Sequence, residues 1–152
     1  MTDQGTVIQY DLGLNVGYLL RRCSQDNTSR FMEAAPPVLS PPRFAALARL
    51  VQFGSVSQNR LGRLISTDAA TIKGIVDRLS AAGAVKTSPD PTDKRQRLVS
   101  ITEYGVELYI KGVIASKSAA TQMLDKLSKS EAETFIALLL KVAGSDPAAE
   151  VA

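Results

Sequence analysis

The residues with the most evident chemistry are cations. Lys94, Arg95 and Arg97 stand within four positions, with Asp93 just before them. A guanidinium binds phosphate through a rigid fork of donors, and it is drawn into narrow A/T-rich minor grooves by the negative potential there. A carboxylate two positions from a guanidinium can hold it in one pose through paired hydrogen bonds, which gives Asp93 a supporting part. Other chemistries find few groups. The 152 residues include no histidine and one cysteine, which argues against a His-based acid–base relay, a structural zinc site and a disulfide framework within the chain. There is no glycine-rich phosphate loop, so no segment reads as catalytic and no cofactor is expected.

The elements that must present these cations are legible in residues 57–102. Ser57 can cap a short helix whose Leu61, Leu64 and Ile65 share a face. Ser66 or Thr67 can cap a second helix running through Ile72, Ile75, Val76 and Leu79, until Gly83 stops it. The outer face of that helix carries Asp68, Ala70, Thr71, Lys73, Gly74, Asp77 and Arg78. Small residues permit close approach to base edges, Thr71 can touch a base, and Lys73 and Arg78 can reach phosphates. Taken alone, the same pattern also describes a solvated helix face. The hairpin that follows favours the first reading: Ala84–Thr87 and Arg97–Ile101 flank the turn-forming SPDPTDKR, with Val99 and Ile101 on one face. This predicts a helix-turn-helix over 57–83 and a wing over 84–101. Double-stranded DNA is the expected partner, met by Thr67, Asp68, Ala70, Thr71, Lys73, Gly74 and Arg78 on the helix and by Lys94, Arg95 and Arg97 on the wing. The basic excess is local: residues 60–100 hold eight Lys or Arg against four Asp, a net of +4, while residues 101–152 net −2.

Before this module, Leu12, Val16, Leu19, Leu20, Cys23, Asn27 and Phe31 recur at helical steps, predicting a helix from about Asp11 to Met32. Pro36 and Pro37 break the chain. Ser40 is the expected cap of the next helix, with Pro41 at its first position and Leu39 and Phe44 as a hydrophobic staple. Phe44, Leu47, Ala48 and Val51 then face inward until Gly54. After the wing, Thr102 caps a long helix through Leu108, Ile114, Ala119 and Leu124. A last helix opens on a capping box, Ser128 with Glu131 or Ser130 with Glu133, and its stripe is Phe135, Leu138, Leu139 and Val142. Gly144 and Pro147 close it, and the tail beyond is expected to be disordered. The outer helices carry more apolar surface than the small reading module can cover. The fold class predicted is therefore mainly α with a small β wing: a winged helix-turn-helix plus a helical dimerisation layer, 11–33 and 103–143, in a single domain over 11–147. A two-fold dimer sets two recognition helices about 34 Å apart and predicts an inverted-repeat operator.

Composition fits one globular domain, with 45% hydrophobic and 22% charged residues and a pI near 9.1. No apolar run approaches the roughly 20 residues that a membrane helix needs. The start, MTDQGTVIQYDLG, lacks a basic n-region and an apolar h-region, so no signal peptide and a cytoplasmic, membrane-free protein are expected.

At this point the chain resembles the MarR family of bacterial winged-helix transcription regulators, from about Leu12 to Val142. DKRQRLVSIT at 93–102 is similar to the family's wing signature, and VDRLSAAGAV at 76–85 to its recognition-helix exit. The resemblance implies that Asp93 and Arg95 shape the wing, that Arg95 enters the minor groove, and that the terminal helices join a triangular homodimer. Thr87 departs from the pattern, since many members carry an arginine there; Lys86 stands beside it. The resemblance also implies release from DNA by a small aromatic or phenolic acid bound between the dimer layer and the reading head. Tyr18, Arg21, Arg22 and Phe44 are the candidates for that site, an arginine for the carboxylate and aromatic faces for the ring. The plainer alternatives are a solvated arginine pair and a core phenylalanine. Some members sense peroxide through a first-helix cysteine, which makes Cys23 a possible redox site. A winged-helix adaptor that binds protein instead of DNA is the alternative of another class.

Overall fold

The computed structural model describes residues 7–149. Among them a 3-10 turn at Leu12–Leu14 leads into α1 (Val16–Ala34), α2 (Pro41–Phe53), β1 (Val56–Ser57), α3 (Gln58–Leu64), α4 (Ala69–Ala81), β2 (Val85–Pro89), β3 (Arg97–Ile101), α5 (Glu103–Leu124) and α6 (Lys129–Ala143). The fold is mainly helical, with a small antiparallel sheet of order β1-β3-β2. The expectation of no leader falls partly on residues 1–6, outside the described residues, as does the end of the tail at 150–152. Among the described residues no helix is long and apolar enough to cross a membrane.

Side chains set where most helices begin, by accepting from backbone N–H groups that have no partner within the helix. Asn15 does this for α1, Ser57 for α3, Thr102 for α5, and Ser128 with Glu131 forms the capping box of α6. Two expectations about helix starts need correction. α4 is capped by Asp68, whose carboxylate accepts from Thr71 N at 2.7 Å, and neither Ser66 nor Thr67 serves. Ser66 instead turns the chain with φ +54°, and Thr67 N donates to Gly62 O, closing the corner between the helices. Ser40 stands at the cap of α2 but its side chain makes no capping bond; Pro41, which needs none, starts the helix.

The inward face of α2 includes Leu47 and Phe44 as predicted but not Val51. Ala46, Leu47 and Leu50 are buried, whereas Val51 is exposed. These residues share a core with Val56, Leu61, Ile72, Val76, Leu79, Val99 and Leu108, so one cluster ties α2, the helix-turn-helix, the sheet and α5 together. Each fully buried Leu or Ile in it contributes about 1.5–3 kcal/mol of transfer free energy. The wing starts one residue later than expected, at Val85, and β2 continues through Ser88 and Pro89. β1, which the sequence did not announce, pairs Val56 with Val99 and Ser57 with Leu98.

Two close approaches lock α5 to this core. Gly105 sits against the wing base so tightly that an added Cβ would stand 2.0 Å from Ala84 O, and at Gly112 it would stand 2.4 Å from the Phe44 ring. Beside Gly105, the Thr102 hydroxyl reaches the carbonyls of Gly83 at 2.7 Å and Ala84 at 3.0 Å. The exit of α4 and the start of α5 are therefore joined through one residue.

The outer helices keep an uncovered apolar face. Leu12, Val16, Leu19 and Leu20 are exposed, and α6 has no buried residue, with Ile136, Leu140 and Val142 open to solvent. Of the tail expected to be disordered beyond Pro147, only residues 148 and 149 are described, and the segment leading into them is held to the fold. Asp146 pairs with Arg49 of α2, and Ala148 is buried.

Candidate nucleic-acid interface

Burial of Ile72, Ile75, Val76 and Leu79 turns the opposite face of α4 to solvent. Asp68, Ala70, Thr71, Lys73, Gly74 and Arg78 are all exposed there, and Thr67 is half-buried at the entrance. The structure thus brings the predicted helix residues onto one surface. Asp68 has a structural task on that surface: the Thr71 amide bond holds its carboxyl below the usual carboxylate range. Lys73 is paired with Asp77 at 2.6 Å, a weak link because both groups are largely solvated. An added Cβ at Gly74 would meet nothing within 4 Å, so nothing within the fold demands a glycine at that position.

The wing turn is built by its acids. Asp90 accepts from both the amide and the hydroxyl of Thr92, at 2.8 and 2.7 Å. Asp93 accepts from the Gln96 side chain and from the Arg95 amide, both at 3.0 Å. This corrects the expected pairing of Asp93 with the Arg95 guanidinium: the carboxylate fixes the backbone beneath Arg95 and leaves its charge free. The Gln96 and Arg95 bonds hold the Asp93 carboxyl below the usual range, and the Thr92 bonds do so for Asp90. Lys94 and Arg95 are exposed at the tip, and neither side chain has a hydrogen-bonded or ionic partner among the described residues. Arg97 is different, because its guanidinium donates to the Thr87 hydroxyl at 2.7 Å across the hairpin.

Sequence reasoning missed the floor beside the wing. Because β1 pairs with β3, Gln58 and Asn59 at the start of α3 face Arg95, Gln96 and Arg97 across a cleft of about 200 Å³. A period-two signal cannot arise from two residues, so Val56–Ser57 gave no warning of this neighbour. A second cleft, of about 330 Å³, lies between Ser40, Pro42 and Arg43 of the α2 start and Thr71, Gly74 and Arg78 of α4.

The candidate effector residues divide into two groups. Arg21 and Arg22 lie over the Tyr18 ring, 5.3 and 5.7 Å from its centroid. Phe44 instead packs with Phe31 at 5.6 Å and with Tyr109 at 6.0 Å. Tyr18 and Phe31 stand about 20 Å apart along α1 at 1.5 Å per residue, so a single chain does not bring Phe44 to the arginine pair. Cys23 is exposed.

Known proteins share this architecture and sequence. Residues 39–96 match the model of the MarR family. The HTH-type transcriptional repressor NicR of Pseudomonas putida is 36% identical over 138 residues, which cover 90% of this chain and 87% of that protein. A probable transcriptional regulator from Pseudomonas aeruginosa superposes with a TM-score of 0.81 at 39% identity, covering 87% of this chain and 99% of that one. BpsR of Bordetella bronchiseptica gives 0.81 at 28% identity, covering 91% and 100%. Sequence match, winged-helix geometry and flanking helices agree: the chain belongs to the MarR family of winged-helix transcriptional regulators.

Proposed function

We propose that the protein is a homodimeric repressor that binds an inverted-repeat operator and leaves it when a small hydroxylated aromatic acid binds. The observation that carries the reading is the pairing of an exposed, small-and-basic α4 face with a wing whose Arg95 guanidinium has no partner among the described residues. α4 enters the major groove, with Ala70 and Gly74 permitting approach and Thr71 at base edges, while Lys73 and Arg78 meet phosphates. Arg95 enters the adjacent minor groove. Residues 57–83 and 84–101 form the reading head, and 11–33 and 103–143 form the dimer layer within one domain over 11–147. The uncovered apolar faces of α1 and α6 support that assembly.

A relative supports the effector class. The DNA binding of BpsR is regulated by 6-hydroxynicotinic acid, a ring carrying a carboxylate and a hydroxyl. Arg21 and Arg22 beside Tyr18 offer a cation and an aromatic face for such a molecule. Phe44 belongs to this site only if the partner chain brings the Tyr18 region of its α1 near it.

Titration of the purified dimer against the DNA upstream of its own coding sequence tests the reading. Tight, salt-sensitive binding to an imperfect palindrome, relieved by 6-hydroxynicotinate or 4-hydroxybenzoate, is the expected outcome. Affinity no greater than for scrambled DNA would leave the adaptor reading in its place. The exposure of Cys23 favours one second reading, release by thiol oxidation; peroxide-dependent loss of DNA that Cys23→Ser abolishes would identify it.

A further inference from the structure

A cleft opens between the wing and the start of α3. Its lining is Ser57, Gln58, Asn59, Arg95, Gln96 and Arg97. None of these is acidic, and none offers an aliphatic or aromatic wall of the kind that encloses a small aromatic ligand. At about 30 Å³ per water, a volume of about 200 Å³ holds one phosphate group with a few of its waters. We infer that this cleft seats a backbone phosphodiester of the bound DNA, and that Thr87 is the positioning residue that holds Arg97 ready for it. The inference rests on the DNA-binding reading above.

The hairpin register places the parts. Pro89 pairs with Arg97 and Thr87 with Val99, so Thr87 and Arg97 lie diagonally across the two strands. Arg97 Nη2 donates to Thr87 Oγ1 at 2.7 Å, with the Thr87 carbonyl at 3.5 Å. A guanidinium has five N–H donors, and one bond to a hydroxyl leaves most of them available. No carboxylate lies within ion-pair distance of Arg97 among the described residues, so its charge is not spent inside the fold. On the facing wall, the Gln58 and Asn59 amides can donate to the same anion. The strand pairing of Ser57 with Leu98 sets that wall.

The location selects DNA over a free anion. In a helix-turn-helix the first helix crosses the sugar-phosphate backbone while the second enters the major groove. α3 is that first helix, and the wing stands beside it. At position 87 this chain carries a hydroxyl that places the cation of Arg97.

The experiment measures affinity at a series of salt concentrations, on the upstream duplex and on a scrambled duplex, for the parent and four variants. Arg97→Gln should weaken both duplexes by the same factor and flatten the slope of log K against log salt by about 0.9 per protomer, the share of one phosphate contact. Thr87→Val keeps the charge, and should keep the slope while weakening both duplexes roughly three- to tenfold, the worth of one hydrogen bond. Thr87→Ser should restore parent affinity. The double variant Gln58→Ala, Asn59→Ala should weaken both duplexes without changing the slope. Thermal melting of each variant separates folding from binding. An unchanged slope in Arg97→Gln, a loss confined to the upstream duplex, or a Thr87→Val that melts lower yet binds like the parent overturns the inference. A parent that binds neither duplex refutes the DNA-binding reading itself, whereas a binding parent with indistinguishable variants refutes only the phosphate seat.

Discussion

Asp93 illustrates how a side chain serves a neighbour without touching its charge. Its oxygens hold the Arg95 amide and the Gln96 side chain, so removing it should loosen the turn that carries Arg95. Asp93→Ala is expected to weaken operator binding while the helical core melts as before. Arg95→Ala should cost about 1–3 kcal/mol of binding per half-site, and a gel-shift titration at fixed salt compares the two. The acids also set a pH response. Asp90 and Asp93 are held below the usual carboxylate range, so their contribution is complete above the unfolded value near pH 4 and is lost as pH falls through the lower folded value. Exchange protection of the Gln96 amide, which bonds Asp93 O, should be steady from neutral pH down to about pH 5 and vanish in stronger acid. The place of Arg95 at the exposed wing tip was legible in the sequence, and the partner of Asp93 was not. An aspartate in a turn competes for the amide two positions on as readily as for the side chain there, and spacing alone does not choose between them.

At the scale of elements, glycines separate packing from docking. Gly74 faces open space on α4, so Gly74→Ala should stabilise the fold by up to about 1 kcal/mol through helix propensity. The same change should lower operator affinity, because it adds a methyl group to the surface assigned to the groove. A variant that is more stable and binds equally well would remove Gly74 from the interface. Gly105 is the converse. Gly105→Ala drives a Cβ into Ala84 O and should cost at least the roughly 1–3 kcal/mol typical of overpacking, measured by urea denaturation. Helices were readable because caps and apolar periodicity mark them independently; Thr102, Ser128 and Glu131 do in the structure what their spacing predicted. The cap of α4 was misplaced because Ser66, Thr67 and Asp68 are all good capping residues. The left-handed backbone at Ser66 removes that residue, and the bond from Thr71 N to the Asp68 carboxylate marks the cap.

For the whole molecule, the uncovered faces of α1 and α6 make assembly the quantity to measure. Leu20→Glu should leave helical content intact, shift sedimentation toward a single chain and weaken DNA binding, since two half-sites would no longer be held together. Effector coupling belongs to the same scale. DNA and a hydroxylated aromatic acid should each weaken the other by one factor, typically about 1–3 kcal/mol, and Arg22→Ala should remove that coupling while retaining most DNA affinity. Paired titrations decide this, and equal ligand affinity for free and DNA-bound dimer would exclude the mechanism for the acids tried. The dimer layer was legible as surplus apolar surface. The composition of an effector site was not, because Tyr18 lies near the start of α1 while Phe44, on α2, packs against Phe31 near its end, and only a second chain can change their company.

The join at Thr102 also bears on the order in which the chain is made. α1 leaves the ribosome before the reading head, yet the helix it packs against, α5, is encoded after that entire head. The head itself stays open until β3 has emerged to pair with both β1 and β2, and Thr102 closes it by bonding the carbonyls of Gly83 and Ala84. Synthesis therefore exposes an unpartnered α1 while residues 35–102 are still being added, at about 5–20 residues per second. That delay of several seconds is the interval in which a nascent chain most needs protection from its neighbours.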